Sequence, residues 1–207
     1  AGLERFDLVQ LHTWNDDWTE ETGWSDMLDS LKRQGLIGAC GISINRWEPW
    51  NGVRAVQSGK IDSVQVIYNL FDQNPEDELF PACEEMDVAI IARVPFDEGT
   101  LTGTLTKETT FPADDWRSGY FTPENLIPSV ERADVLRPLI PDGSSMPELA
   151  LRFILCHPAV STIIPGMRKI RNVEANIAAS GAADLSADLL QRLRAHRWVR
   201  KPAPWSD

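Results

Sequence analysis

The chain has 207 residues, of which 43% are hydrophobic, with 20 Lys and Arg set against 31 Asp and Glu. That length can bury one core of ordinary domain size, and the composition excludes a disordered or collagen-like chain. The formal charge of -11 at pH 7 argues against a basic face for nucleic acid or an anionic membrane, since both are bound through Lys and Arg, and a small metabolite is the better-suited partner. Cys40, Cys83 and Cys156 lie far apart, with no C-x-x-C and no Cys/His pairing. They read as reduced core thiols of a cytoplasmic protein, with neither a zinc site nor a disulfide framework. No apolar run reaches membrane length, and the opening residues carry no signal-peptide pattern. A start at Ala1 rather than Met leads to the expectation of a trimmed chain.

In chain order, the first element is the apolar run Phe6 to His12, read as a strand and followed by a polar, Trp-rich loop through Trp18. A helix is predicted over about Trp24 to Gln34, with Met27, Leu28 and Leu31 on one face and Gly35 at the left-handed stop. The second strand is Ile37 to Ser43, after which Pro49 opens a short helix carrying Val53 and Val56. The third strand is Ser63 to Tyr68, followed by a helix over about Asp77 to Met86 and a fourth strand, Val88 to Val94. The Gly-, Thr- and acid-rich stretch at about 95–143 reads as a loop excursion. Ser145-Met146-Pro147-Glu148 has a capping-box pattern and opens a helix with Leu149, Phe153 and Ile154 inward. Val160 to Ile164 is the fifth strand, and helices near Ile170 to Ala179 and at about 186–196 complete a single domain over 1–207.

Strand starts roughly 25–32 residues apart have the spacing of a βα repeat with parallel strands. A Rossmann sheet would carry G-x-G-x-x-G after its first strand, and none occurs. Instead the polar residues His12, Ser43, Gln65, Arg93 and the Pro165-Gly166 turn close the strands at their carboxyl ends, where barrel enzymes keep their sites. A complete (β/α)8 barrel takes about 250 residues and eight strands, so this chain is short by about three.

His12 ends a strand beside Trp14, Asn15, Asp16, Asp17 and Trp18; its position points to catalysis, against the ordinary use of histidine as a hydrogen-bonded structural residue. Gln65 places an amide inside an apolar run, which costs free energy unless a partner satisfies it. Ser43 and Asn45 suit either a ligand contact or a turn and helix cap for the segment at Trp47. Arg168, Lys169 and Arg171 crowd the start of a predicted helix against its dipole, and a bound anion explains that placement better than a solvated turn. Trp14, Trp18, Trp24, Trp47 and Trp50 line either a substrate mouth or the packing between helices.

In this order and spacing the motifs resemble the aldo-keto reductase superfamily over essentially the whole chain. Asp7 to His12 is similar to the family's fourth strand, which ends in the active-site histidine. Gly41-Ile42-Ser43 resembles the next strand, whose Ser and adjacent Asn bind the nicotinamide carboxamide; here Ile44 stands in the Asn place and Asn45 follows. Val64 to Asn69 is similar to strand six, whose Gln, here Gln65, also holds the carboxamide. Ala92 to Gly103 resembles the segment over the nicotinamide and pyrophosphate, which implies cofactor contacts at Arg93, Val94, Pro95, Phe96, Gly99, Leu101 and Gly103. Arg93 replaces a stacking aromatic and Val94 a phosphate-binding Ser; a guanidinium plane can stack, but its charge disfavours the oxidised, cationic ring. Ile164 to Arg168 and Asn172 to Asn176 resemble the segment that grips the adenosine 2′-phosphate and adenine. That likeness implies contacts from Pro165, Gly166, Arg168, Asn172 and Asn176, with Asn172 where Gln or Arg is usual.

The resemblance implies an α/β fold, a (β/α)8 TIM barrel of the aldo-keto reductase type. It places this chain as a carboxyl-terminal portion from about strand four, with about the first three βα units absent. It further implies that the whole binds NADPH, or NADP when oxidised, and reduces an aldehyde or ketone to an alcohol by hydride transfer. In the family a Tyr protonates the carbonyl, tuned by a Lys and an Asp, while the His orients it. Those three residues come from the first three units, and neither Tyr68 nor Tyr120 matches the catalytic Tyr. The resemblance therefore implies a chain inactive alone, carrying only His12 of the four, whose barrel a missing amino-terminal segment or a partner chain completes. The competing reading is a non-catalytic nicotinamide-nucleotide-binding regulatory or scaffold subunit, which Arg93 and Val94 favour. A third is an α/β interaction module whose cations at Arg168 bind nothing. No metal is expected. A five-strand piece should expose two sheet edges and be unstable alone unless they are covered, and the acidic loop from Asp114 to Phe121 is expected to close over cofactor or substrate.

Overall fold

Strands form at all five apolar runs: β1 (Phe6–His12), β2 (Ile37–Ser43), β3 (Ser63–Ile67), β4 (Ala89–Arg93) and β5 (Val160–Ile163). They belong to a computed structural model that describes residues 2, 4–45 and 48–200. One α/β sheet holds them in chain order, with β1 to β4 paired in parallel. Tyr68, Val94 and Ile164 fall just outside the strands they were expected to end, and Val88 just before the strand it was expected to open. By internal contacts the chain divides into two compact units, one of Ala1–Ile67, Asn74–Arg93 and Pro158–Thr162, the other of Tyr68–Gln73, Val94–His157 and Ile163–Asp207.

In the first unit β2 lies between β1 and β3, and its carboxyl-terminal half is buried on both faces, with Cys40 and Ile42 inaccessible. The helix α1 (Gly23–Arg33) packs Leu28, Leu31 and Trp24 against Ile37 and Cys40. Met27, expected on that face, is exposed, because it lies about 100° around the helix from Leu28. Gly35, at φ 72°, ends α1 as expected: its N–H donates to the Lys32 carbonyl and that of Leu36 to Leu31, so the chain turns straight into β2. Pro49 does not open a helix. Residues 49–52 form a turn, and α2 (Val53–Gln57) begins after it, its first amides capped by a distant residue. The Asp16 carboxylate accepts from the N–H groups of Arg54 and Ala55, each at 3.2 Å, doing from another loop what an adjacent Ser or Asp does elsewhere. The helix α3 (Leu79–Glu85) starts two residues later than expected. β1 pairs with β2 alone among the described strands, and Phe6 and Leu8 on it are 47% and 36% exposed.

The second unit contains α4 (Arg117–Tyr120), α5 (Pro123–Leu136), α6 (Met146–Leu155), α7 (Ile170–Ser180) and α8 (Ala187–Arg194). The stretch at 95–143 is therefore more than a loop excursion, since it holds α5, 14 residues long. Leu126, Val130, Ala133 and Leu136 form the buried stripe of α5, and the first two join Tyr120 and Phe121 in one apolar cluster. Pro128 inside the helix, which leaves the Glu124 carbonyl without its i+4 donor, masks that periodicity in the sequence. Half of the capping box on α6 forms: Ser145 Oγ accepts from the Glu148 N–H at 3.3 Å, while the Glu148 carboxylate turns to Ser144 Oγ and Arg152. Leu149, Phe153 and Ile154 are buried as expected. Among the described residues no helix is long and apolar enough to cross a membrane.

Candidate functional site

Parallel pairing sets His12 opposite Ser43 and Ser43 opposite Gln65, so three polar side chains form one row across the carboxyl ends of β1, β2 and β3, on the same face of the sheet. Gln65 Nε2 donates to Ser43 Oγ at 3.1 Å, which satisfies the amide that the apolar run made costly. Among the polar capacities this pair keeps for a ligand are the Ser43 hydroxyl as donor and Gln65 Oε1 as acceptor. His12 is exposed, with Nδ1 3.1 Å from Thr13 Oγ1. Arg93 ends β4 on the same face, and its guanidinium reaches across β3 to donate to the Ile44 carbonyl at 3.0 Å. Asn45 is not brought to the row: its Nδ2 donates to Glu48 and its Oδ1 accepts from the Glu48 N–H, which is the turn role. Trp47 lies outside the described residues.

One layer below this row lies another that periodicity could have revealed, since Gln10 stands two residues before His12. Gln10 pairs with Gly41 and Gly41 with Ser63. Gln10 Nε2 and Ser63 Oγ are buried without a hydrogen-bond partner. A β-carbon on Gly41 would come 2.1 Å from Ser63 Oγ and 2.5 Å from the Ser63 carbonyl oxygen, so only glycine fits between these strands. Trp14 is buried and meets Trp18 and Trp24 edge-on at 5.7 and 4.9 Å, a packing role for Trp14, while Trp18 and Trp50 are exposed.

In the second unit a cavity of about 830 Å³ is lined by Val94, Pro95, Phe96, Gly99, Gly166 and Arg168, six of the residues expected to hold a cofactor. The loop that forms much of its wall turns through left-handed backbone, with φ of 56° at Val94, 47° at Asp97, 56° at Glu98 and 120° at Gly99. Of these residues only Gly99 adopts such angles without strain. Leu101 is buried beneath the loop and Gly103, at φ 69°, ends it, so both shape the wall without lining it. Asn176 Nδ2 donates to the Gly166 carbonyl at 3.4 Å and steadies the turn before α7, while Pro165, Arg171 and Asn172 do not line the cavity.

The acidic loop reaches the same cavity through Asp114, Asp115, Trp116 and Arg117. Arg117 Nε and Nη2 grip the Asp115 carboxylate at 2.9 and 2.5 Å. These bonds, with a further backbone bond from Arg117 and the charge of Arg168, hold the Asp115 carboxyl down to about 2. Arg168 thus adds positive charge to a cavity where one nearby carboxylate is already matched by Arg117. The two tyrosines are packed away: Tyr68 stacks on Phe153 at 6.0 Å, and Tyr120 meets Phe121 edge-on at 4.8 Å. Cys40, Cys83 and Cys156 are free thiols, and burial pushes the Cys83 thiol up to about 12, too high for a nucleophile at neutral pH. Among the described residues no cluster of three or more His, Cys, Asp or Glu could hold a metal.

The model of the aldo/keto reductase family matches residues 1–197. Among curated proteins, the uncharacterized oxidoreductase YqkF of Bacillus subtilis is 30% identical over 92% of this chain and 60% of its own length. The NADH-specific methylglyoxal reductase of Escherichia coli is 26% identical over 93% of this chain and 60% of its own. Among solved structures, the holo form of aldo-keto reductase AKR11C1 from Bacillus halodurans superposes with a TM-score of 0.72 at 28% identity, over 99% of this chain and 63% of that one. The chain thus spans about 60% of the length of the curated relatives it matches. Because the family match runs from residue 1 to residue 197, it does not bear out the expected restriction to a carboxyl-terminal portion or the absence of three βα units.

Proposed function

This chain belongs to the aldo/keto reductase family, and from that premise we propose that it holds the nicotinamide nucleotide of an oxidoreductase that reduces an aldehyde or ketone to an alcohol. The observation that carries the reading is the row of His12, Ser43 and Gln65 at the ends of three neighbouring strands. The bonded Ser43–Gln65 pair keeps the Ser43 hydroxyl as a donor and Gln65 Oε1 as an acceptor, the complement of a primary carboxamide with its carbonyl and its NH₂. A bound dihydronicotinamide supplies the hydride. His12, engaged at Nδ1 by Thr13, keeps Nε2 for a substrate carbonyl oxygen, which it orients.

Taken by itself, the cavity of Val94, Pro95, Phe96, Gly99, Gly166 and Arg168 suits phosphate groups, with Arg168 as the cation for a 2′-phosphate, and NADPH is the nucleotide this reading favours. Leu101, Gly103, Pro165 and Asn176 shape that wall and its turn, and Asn45 and Asn172 drop out of the proposed set. Neither buried tyrosine serves as proton donor. The acid, and the strands that would close these five into an eight-stranded barrel, come in this reading from polypeptide beyond these residues, so the chain alone is inactive. We take the free thiols together with a cytoplasmic location. Arg93, a cation where an aromatic ring would stack, favours a second reading in which the nucleotide is bound without turnover.

Titration of the chain with NADPH, NADH and ADP-ribose tests the proposal. Saturable binding of all three is expected, with Gln65→Ala weakening both dinucleotides at least tenfold and leaving ADP-ribose, which has no carboxamide, unchanged. No saturable binding, or equal losses for all three ligands, overturns it. Carbonyl reduction by the assembled protein separates the first reading from the second.

A further inference from the structure

Asp97 is a buried acid of the second unit, its side chain 1% exposed, in a loop where Val94, Asp97, Glu98, Gly99 and Gly103 all have positive φ. Its Oδ1 accepts from Arg200 Nη2 at 2.7 Å, and the same guanidinium nitrogen donates to Asp72 Oδ2, also at 2.7 Å. The side chains of Arg200 and Asp72 are 6% and 14% exposed, so all three charges are removed from water. Burial alone would lower the pKa of Arg200, but the two carboxylates raise it well above its ordinary value. A buried charge of this kind is tolerated only because its partners are held in place, and removing the central cation takes from two buried carboxylates the positive charge they share.

The segment that carries Arg200 is itself anchored. The Trp198 N–H donates to the Phe71 carbonyl at 2.8 Å, its ring meets Phe71 edge-on, and the guanidinium carbons of Arg132 and Arg200 lie 4.4 and 4.6 Å from its centroid. Asp72 lies in the turn where Asn69 Oδ1 accepts from the N–H groups of Phe71 and Asp72, while Asn69 Nδ2 donates to the Val94 carbonyl at 3.1 Å. Two independent ties therefore reach the loop of Val94 to Gly103 from the 69–73 turn, one directly at Val94 and one through Arg200 at Asp97. Trp198 and Arg200 both lie beyond the residues that the family model matches.

We infer that Arg200 is a positioning residue for the nucleotide cavity: its ion pairs with Asp97 and Asp72 hold the Val94–Gly103 loop in the left-handed course that leaves the cavity open to phosphates. The inference rests on the proposed binding of a nucleotide by that cavity, but the clamp can be tested without one. Arg200→Met leaves Asp97 and Asp72 without their cation, and Arg200→Lys returns a charge that a single ammonium can share between them.

Hydrogen exchange of the Asp97, Gly99 and Leu101 amides, which bond within the loop, should quicken at least tenfold in Arg200→Met relative to amides of α6, and stay within threefold of the parent in Arg200→Lys. The Kd for NADPH should rise at least tenfold in the first variant and less than threefold in the second. Exchange that is unchanged in the loop, or that quickens equally in α6, overturns the clamp. Quickened loop exchange with an unchanged Kd overturns its role at the cavity. Absence of NADPH binding by the parent chain overturns the nucleotide reading, while the exchange result still decides the clamp. Where Arg200→Met does not fold, Asp72→Asn, which keeps the Asp97 pair, should show intermediate exchange, and parent-like rates in it count against the shared clamp.

Discussion

The strand-end row of the first unit and the cavity of the second are built by different means. In the row, the regular register of a parallel sheet delivers His12, Ser43 and Gln65 to one level, and the only special requirement is a glycine beneath them. In the cavity, the wall is irregular backbone, with three non-glycine residues at positive φ and a carboxylate anchored to a residue 103 positions away. Regular hydrogen bonding places side chains with little help from elsewhere, whereas strained backbone persists only where surrounding contacts over-determine it. The row should therefore fail through changes that disturb strand spacing, and the cavity through changes at remote charges.

The largest effect is expected from Gly41→Ala. The new methyl would meet the Ser63 carbonyl oxygen at 2.5 Å, and backbone cannot rotate away as a side chain can. Loss of about 3 kcal/mol of stability is expected, read as a lower denaturation midpoint, together with weaker nucleotide binding through the disturbed Ser43–Gln65 pair. A midpoint equal to the parent's would break the claim that β2 and β3 admit only glycine there. Arg93→Tyr should act on the row without loosening it. Removing the guanidinium beside the carboxamide pair is expected to raise affinity for the oxidised nucleotide about tenfold relative to the reduced one, and an unchanged ratio of the two dissociation constants would place Arg93 away from the ring.

The smallest effect concerns the cavity. Asp115, held down to about 2 by Arg117, stays ionised as pH falls through the ordinary carboxylate range, and the benefit of its pairing is lost only as pH approaches 2. In Arg117→Met the carboxyl should titrate upward, nearer the ordinary range, by carbon-detected NMR, with little change in stability because the pair is at the surface. An unmoved titration would assign the shift to the backbone N–H of residue 117, which the variant keeps, and to Arg168.

The elements most legible in the sequence were those whose signal is local. Apolar runs bounded by turn residues marked β1 to β5, and Gly35 marked the end of α1, because a left-handed stop needs a residue without a β-carbon. Asp87, at φ 55°, does the same after α3 and carried no such mark. The helix α5 went unseen because Pro128 interrupts a stripe that Leu126, Val130, Ala133 and Leu136 otherwise form. The start of α2 was misplaced because its cap, Asp16, arrives from a loop nearly forty residues earlier.

The candidate site divides in the same way. His12, Ser43 and Gln65 could be named from polar residues at strand ends, since a period of two and a common register suffice to align them. Whether Ser43 and Gln65 bond to each other, and that Asn45 turns instead to Glu48, followed only from the packed side chains. Arg168 stood out as a cation where a helix dipole disfavours one, but its place in a cavity with Asp115 and Arg117 did not.

What the sequence by itself determined, then, is the order and kind of the strands, the polar residues at their ends and the likeness to a reductase family, because each depends on neighbours within one element or on the spacing between elements. What only the tertiary structure decided is the cap that Asp16 lends to α2, the unpartnered layer of Gln10 and Ser63, and the buried bridge of Arg200 to Asp72 and Asp97. Each of these brings together groups tens to more than a hundred residues apart, and a hydrogen bond or contact that acts over a few ångströms leaves no trace in a linear pattern until the chain has folded.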